Sequence, residues 1–174
     1  MLEQFEDPTD GGFFFTAREH ERLIHRPKPG QDHATPSGNA VAAGALNRLS
    51  ALTGEARYAE AGRRTLELFY PAMRQSPGSY ATMAIALDES LAQPKTVVLR
   101  GEAQALASWQ SALARLSMSD TLALAIPDGM PGLPAPLDKP RRPGAVNAWL
   151  CRGVTCLEPI GDLQQLKEAL KENL

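Results

Sequence analysis

Apolar residues recur at helical spacing through the middle of the chain, then give way near residue 94 to short β-branched runs. That change of period separates a helical hairpin segment, residues 1–92, from a small α/β unit, residues 93–174. Three amphipathic helices are predicted in the first part. One starts at Asn39 as N-cap, carries Val41, Ala45, Leu49 and Leu52 on one face, and ends at Gly54 in a left-handed C-cap. The next runs from about Glu55 to Arg74, with Tyr58, Ala61, Thr65, Leu68, Phe69, Ala72 and Met73 in one stripe. Pro71 is expected to kink it or end it early. Ser76-Pro77-Gly78 breaks the chain, and a third helix from about Ser79 to Leu91 shows Tyr80, Met83, Ala84, Leu87 and Leu91. Short loops between such helices argue for antiparallel hairpins.

Beyond Gln93-Pro94, Lys95 to Arg100 reads as a buried strand closed by Gly101. A helix from Ala103 to Leu116 follows, facing inward through Leu106, Trp109, Leu113 and Leu116. Thr121 to Ile126 and Ala145 to Cys151 are second and third strands, separated by a Pro- and Gly-rich loop. Strand, helix, strand in this order predicts a parallel pair. Asp162 caps a last helix with apolar positions Leu163, Leu166, Leu170 and Leu174. The first 40 or so residues read as loop and short extended pieces, apart from a helix expected to start at Thr16, with Glu19 completing a capping box, to carry Leu23 and Ile24 and to stop before Pro27. The fold class is thus mixed and mostly α.

Composition narrows the function classes. The formal net charge is −2, and Lys and Arg are scattered among Asp and Glu, which disfavours nucleic-acid binding. No apolar run approaches the roughly 20 residues that span a bilayer. The acidic start lacks a signal-peptide core, and two cysteines are too few for a secreted disulfide scaffold. These features lead to a cytoplasmic expectation. The aromatic cluster Phe13-Phe14-Phe15 calls either for a large partner surface or for a strand tucked under the helices.

The densest polar stretch runs from Arg26 and Lys28 through Asp32 and His33 to Ser37 and Asn39, directly before a helix. Helix amino termini offer unpaired N–H groups to anionic or hydroxyl-rich ligands. In that reading Asp32 is a candidate catalytic acid or base, and Arg26, Lys28, Ser37 and Asn39 are ligand-binding candidates. The alternative is a helix-entry structure, with Ser37 and Asn39 capping and Asp32 paired with Arg26 or Lys28. A glycosidase needs a second carboxylate, for which Asp10, Glu19 and Glu21 are available. His20, His25 and His33 have no metal-binding spacing, so no metal is expected. No P-loop, dinucleotide fingerprint or nucleophile elbow occurs, and no cofactor is expected. Cys151 and Cys156 read first as inert structural thiols, with a reversible disulfide or a metal role as alternatives. The loop cations Lys139, Arg141 and Arg142 read first as part of a solvated loop, with the holding of an acidic partner as the alternative.

Four motifs occur together in order: Asp10-Gly-Gly-Phe-Phe-Phe-Thr16, Leu23-Ile-His-Arg26-Pro-Lys28, Asp32 through Pro36-Ser-Gly-Asn39, and Cys151…Cys156…Pro159. The set resembles the carboxy-terminal region of the spermatogenesis-associated, thioredoxin-domain protein family, across essentially the whole chain. The resemblance implies a parent with a thioredoxin-like domain, which this sequence lacks, followed by an α/α toroid of the six-hairpin type, of which only part is present here. In such a toroid Arg26, Lys28, Asp32, Ser37 and Asn39 would face the central cavity. Two functions follow as expectations. The chain completes the toroid structurally or docks a partner, whether the missing amino-terminal region or a second copy, or it binds or transforms a carbohydrate-like molecule in epimerase or glycosidase fashion. Whether it is an enzyme is left open by the residues.

Overall fold

The computed structural model describes every residue except Arg22, Ser117, Ser119, Val154, Asn173 and Leu174, and describes Glu172 without its side chain. The described chain mixes helices with a small sheet and forms two compact units, one of residues 1–50 and 55–92, the other of residues 51–54 and 93–174.

The first unit holds a short helix α1 (Leu2–Phe5), then α2 (Gly38–Thr53), α3 (Ala56–Gln75), a 3₁₀ turn (Pro77–Tyr80) and α4 (Ala81–Ala92). The α3 stripe packs as its periodicity predicts: Ala61, Thr65, Phe69 and Met73 are buried, and Pro71 is carried inside the helix rather than ending it. Gly54 has φ +76°, the left-handed conformation expected after α2. The buried face of α2 differs from the expected one. Asn39, Ala40, Ala42, Ala43, Leu46 and Asn47 are buried, while Val41 and Leu49 are 53% and 41% exposed. Close helix packing explains the inversion. A Cβ added to Gly62 of α3 would stand 2.8 Å from Asn47 Oδ1 and 3.3 Å from the Ala43 carbonyl oxygen. Helices this close accept small residues at the contact, so the face carrying Ala40, Ala43 and Asn47 turns inward together with Leu46, and Val41 and Leu49 turn out.

α2 and α4 run parallel. The Asp32 carboxylate accepts N–H bonds from Ser37 and Thr82, at the amino ends of the two helices. One turn or two further on, Gly44 faces Ala86, and Arg48 then pairs with Glu89, its Nε 3.1 Å from Oε2. The Asn47 amide, buried between them, donates to the Ala86 carbonyl at 3.5 Å. The third helix begins at Ala81, because Pro77 to Tyr80 wind as the tighter 3₁₀ turn. Of its predicted apolar positions Tyr80 and Met83 are buried, whereas Leu91 is exposed.

The helix expected from Thr16 does not form. Its backbone groups are committed elsewhere: Phe15 N–H donates to Pro27 O at 2.9 Å, Arg18 N–H to Gln4 O at 2.7 Å, and Arg26 Nη2 to Thr16 O at 2.6 Å. A single turn, His20 N–H to Ala17 O, remains, and Ile24 is fully exposed.

The second unit is a four-stranded sheet in the order β2-β1-β3-β4. β1 (Lys95–Gly101) pairs parallel with β2 (Thr121–Pro127) and antiparallel with β3 (Val146–Arg152). The two-residue β4 (Thr155–Cys156), which is too short to give an alternating pattern, adds a strand to the three expected. Side-chain alternation sorts the core into two faces. Val97, Leu99, Ala148 and Leu150 pack with Leu106 and Leu113 of α5 (Ala103–Leu113) and Leu166 and Leu170 of α6 (Leu163–Glu172). Val98, Ile126, Trp149 and Cys151 pack with Leu137 of the long loop. α5 stops at Leu113, three residues short of the expected end. Asp162 caps α6, its Oδ1 accepting the Gln165 N–H at 2.8 Å. The expected last apolar position, Leu174, lies outside the described residues.

Candidate functional site

The Arg26–Asn39 stretch closes on the aromatic segment that precedes it. Asn39 lies in the first turn of α2, and its side chain behaves like one more strand residue. Oδ1 accepts the Phe13 N–H at 2.7 Å, and Nδ2 donates to Phe13 O and to Pro29 O, both at 2.9 Å. The N-cap is therefore Ser37 rather than Asn39. Its Oγ accepts the Ala40 N–H at 3.4 Å and donates to Pro29 O at 3.2 Å. This frees the Asn39 amide for the long-range brace.

Asp32 pairs with neither Arg26 nor Lys28. Each of its oxygens accepts one backbone N–H at 2.8 Å, from Thr82 at the start of α4 and from Ser37. These amides, Thr82 first and Ser37 second, hold its carboxyl below the ordinary 3.8, although burial opposes the shift. The Asp32 N–H itself donates to Ser79 O at 2.8 Å. Lys28 Nζ instead meets Asp7 Oδ2 at 2.6 Å and Gly11 O at 3.0 Å. That ion pair leads the causes that lower the Asp7 pKa. Arg26 lies 4.1 Å over the Phe14 ring and binds the Thr16 carbonyl. Sequence reasoning missed Asp7, whose only local signal is the Pro8–Gly12 turn that follows it.

The aromatic triplet divides its roles: Phe13 is buried, Phe14 half-buried and Phe15 71% exposed. The preceding glycines make the turn possible. Gly12 has φ +73°, and a Cβ there would meet Leu68 Cδ2 at 2.7 Å. Beside the triplet is a cavity of about 440 Å³, walled by Phe5, Phe13, Phe14, Phe15 and Pro29, with Gln31, His33, Ser37 and Asn39 at its polar side. Arg26, Lys28 and Asp32 are not among its lining residues. His20, His25 and His33 are all exposed and far apart in role; only His33 reaches the cavity.

In the second unit Cys151 and Cys156 are joined as a disulfide between paired positions of β3 and β4, in place of the free structural thiols expected. Gly153, in the connecting turn, has φ +56°. The loop cations are spread apart. Lys139 Nζ stands 3.2 Å from Cys156 Sγ, Arg141 pairs with Asp128 at 3.4 Å, and Arg142 lies 6.0 Å from the Trp149 ring centre. Arg100, unmarked in the sequence reading, is buried on β1 with its Nε 3.9 Å from Asp128. Among the described residues no helix is long and apolar enough to cross a membrane.

No protein-family model matches the chain. Spermatogenesis-associated protein 20 of Homo sapiens is 30% identical over 176 residues, which cover 95% of this chain and 22% of the human protein. The protein of the same name in Mus musculus is 34% identical over 102 residues, 58% of this chain and 13% of that protein. The chain thus spans less than a quarter of the length of the curated relatives it matches. Near-complete coverage of the chain agrees with the four ordered motifs: over 95% of its length the chain is similar to spermatogenesis-associated protein 20, consistent with a segment of a protein of that family.

Proposed function

We propose that the first unit is a structural segment of a larger helical ring, an α/α toroid, and that its role is to complete that ring by docking against the remaining helices of the parent protein. The observation that carries this reading is the outward apolar stripe of α2. Val41 and Ala45 lie on the side of the helix opposite Ala43 and Asn47, the residues that face α3. Val41 is 53% exposed and Ile85 of the parallel helix α4 is 61% exposed. Full burial of each is worth about 1.5–3 kcal/mol. Two parallel helices joined through α3 also suit one ring of an α/α toroid, where helices of a ring share a direction. The human relative extends well beyond the span this chain matches, and the proposed occupant is further toroid helices in that remainder.

Under this reading Arg26, Lys28, Asp32, Ser37 and Asn39 hold the entry to α2 and α4 in shape. Their polar atoms serve the fold, so no acid–base role is assigned to Asp32. The test mixes this chain with the complementary remainder of a family protein and measures mass by size-exclusion chromatography with light scattering. A one-to-one complex is expected, with a double variant Val41→Asp and Ile85→Asp folding normally but failing to bind. A chain that stays monomeric beside its complement overturns the proposal.

The cavity beside Phe13–Phe15 favours a second reading, the binding of a carbohydrate-like ligand whose ring face lies on the aromatic wall. Gln31 and His33 would then meet its hydroxyls. Saturation-transfer NMR with simple hexoses, comparing the wild type with Phe15→Ala, checks this. Equal signals from both proteins, or none, remove it.

A further inference from the structure

The disulfide of the second unit plays no part in the proposed docking. Cys151 is buried on β3 and Cys156 is half-buried on β4, so Cys156 is the more exposed residue of the pair. Lys139 reaches it from the long loop, Nζ to Sγ 3.2 Å. Lys139 is itself half-buried, and among the described residues no carboxylate pairs with it. Burial lowers its pKa. An ammonium drawn out of water needs an opposite charge. A neutral disulfide sulfur returns little of that cost, whereas a thiolate in the same place returns much more. The loop therefore places a cation where the reduced form would have its anion.

We propose that Cys151 and Cys156 are a reversible thiol–disulfide couple that accepts two electrons from a dithiol reductant, with Lys139 holding the Cys156 thiolate. The reductant's thiolate attacks Cys156 Sγ and forms a mixed disulfide, and the protein's S–S bond breaks. Cys151 departs and takes the proton of the reductant's second thiol. That second sulfur, now a thiolate, attacks the reductant sulfur of the mixed disulfide, and Cys156 leaves as a thiolate beside Lys139. The reductant ends as a disulfide, and the protein ends with one thiol and one thiolate. Lys139 acts at the second departure, where charge develops on Cys156.

The experiment equilibrates the full chain with graded ratios of reduced to oxidised dithiothreitol. Thiols are trapped with iodoacetamide and counted by mass spectrometry, and folding is followed by circular dichroism. The wild type is expected to gain two thiols with its fold unchanged. Lys139→Met should need about tenfold more reductant relative to oxidant at the midpoint, the equivalent of one unit of thiol pKa. Its Cys156 should also alkylate more slowly at pH 7, and Lys139→Arg should restore both properties. The proposal is overturned if thiols appear only as the protein unfolds, or if Lys139→Met matches the wild type in midpoint and alkylation rate.

Discussion

The two units treat charged loop residues in opposite ways. In the first, Asp32 precedes a helix in a stretch that looks built for chemistry, yet both of its oxygens are taken by backbone amides. In the second, Lys139 sits in a proline-rich loop that looks like solvated connection, yet its ammonium is half-buried against a sulfur. A charge answered by fixed amides is architecture. A charge withdrawn from water and met by a weak acceptor is poised for a change in that acceptor. Crowding of polar residue types along a sequence is therefore a poorer guide to reactivity than whether each polar atom is already answered.

The largest expected effect lies at Asn39. Asn39→Ala leaves the Phe13 N–H, the Phe13 carbonyl and the Pro29 carbonyl without this partner in a buried place. It should destabilise the first unit by about 3–5 kcal/mol in urea denaturation. Asn39→Asp retains the acceptor for Phe13 but turns a carboxylate toward two carbonyls, so it should cost a similar amount. If either variant melts like the wild type, the brace contributes little and the contrast between the units weakens.

Asp32→Ala comes next, at about 2–3 kcal/mol near neutrality, from two amide bonds to a charged acceptor. Its pH dependence is distinctive. The folded-state pKa is lowered from 3.8, so the stabilisation is present above the unfolded value and is lost as pH falls through the folded one. The gap between wild type and Asp32→Ala should therefore close in acid denaturation below about pH 4. A gap that persists undiminished into acid would assign the cost to packing rather than to the carboxylate.

Local signals made much of this fold readable, and long-range ones did not. The α3 stripe, the β1 and β2 runs and the Asp162 cap depend on spacing within a few residues, and each is found where periodicity puts it. α2 misled because large aliphatics were taken as the inward face, when the approach of Gly62 selects alanines. Thr16 misled because its would-be helix loses its backbone groups to Arg26 and Pro27. The Arg26–Asn39 stretch stood out in the sequence as densely polar, but its contacts were not foreseen. Asn39 meets Phe13 across 26 residues and Asp32 meets Thr82 across 50, and neither separation leaves a trace in local pattern. The cysteine pairing was legible only as an alternative, since a two-residue β4 gives no strand signal.

The smallest stability effect, and the sharpest test of the contrast, belongs to Lys139→Met in the disulfide form. Removing Asp32 deprives two amides of a charged partner, whereas removing Lys139 deprives only a neutral sulfur. It also relieves the desolvation of an ammonium, and methionine keeps most of the apolar stem in place. The two terms oppose each other, so the oxidised variant should unfold within about 0.5 kcal/mol of the wild type. After reduction at pH 8 the same substitution removes the partner of a thiolate, and the variant should fall below the wild type by more than in the oxidised state. A loss of about 2 kcal/mol already present in the oxidised protein would make Lys139 a brace of the same kind as Asp32, because a charge that stabilises the disulfide that much has no reason to favour its reduction.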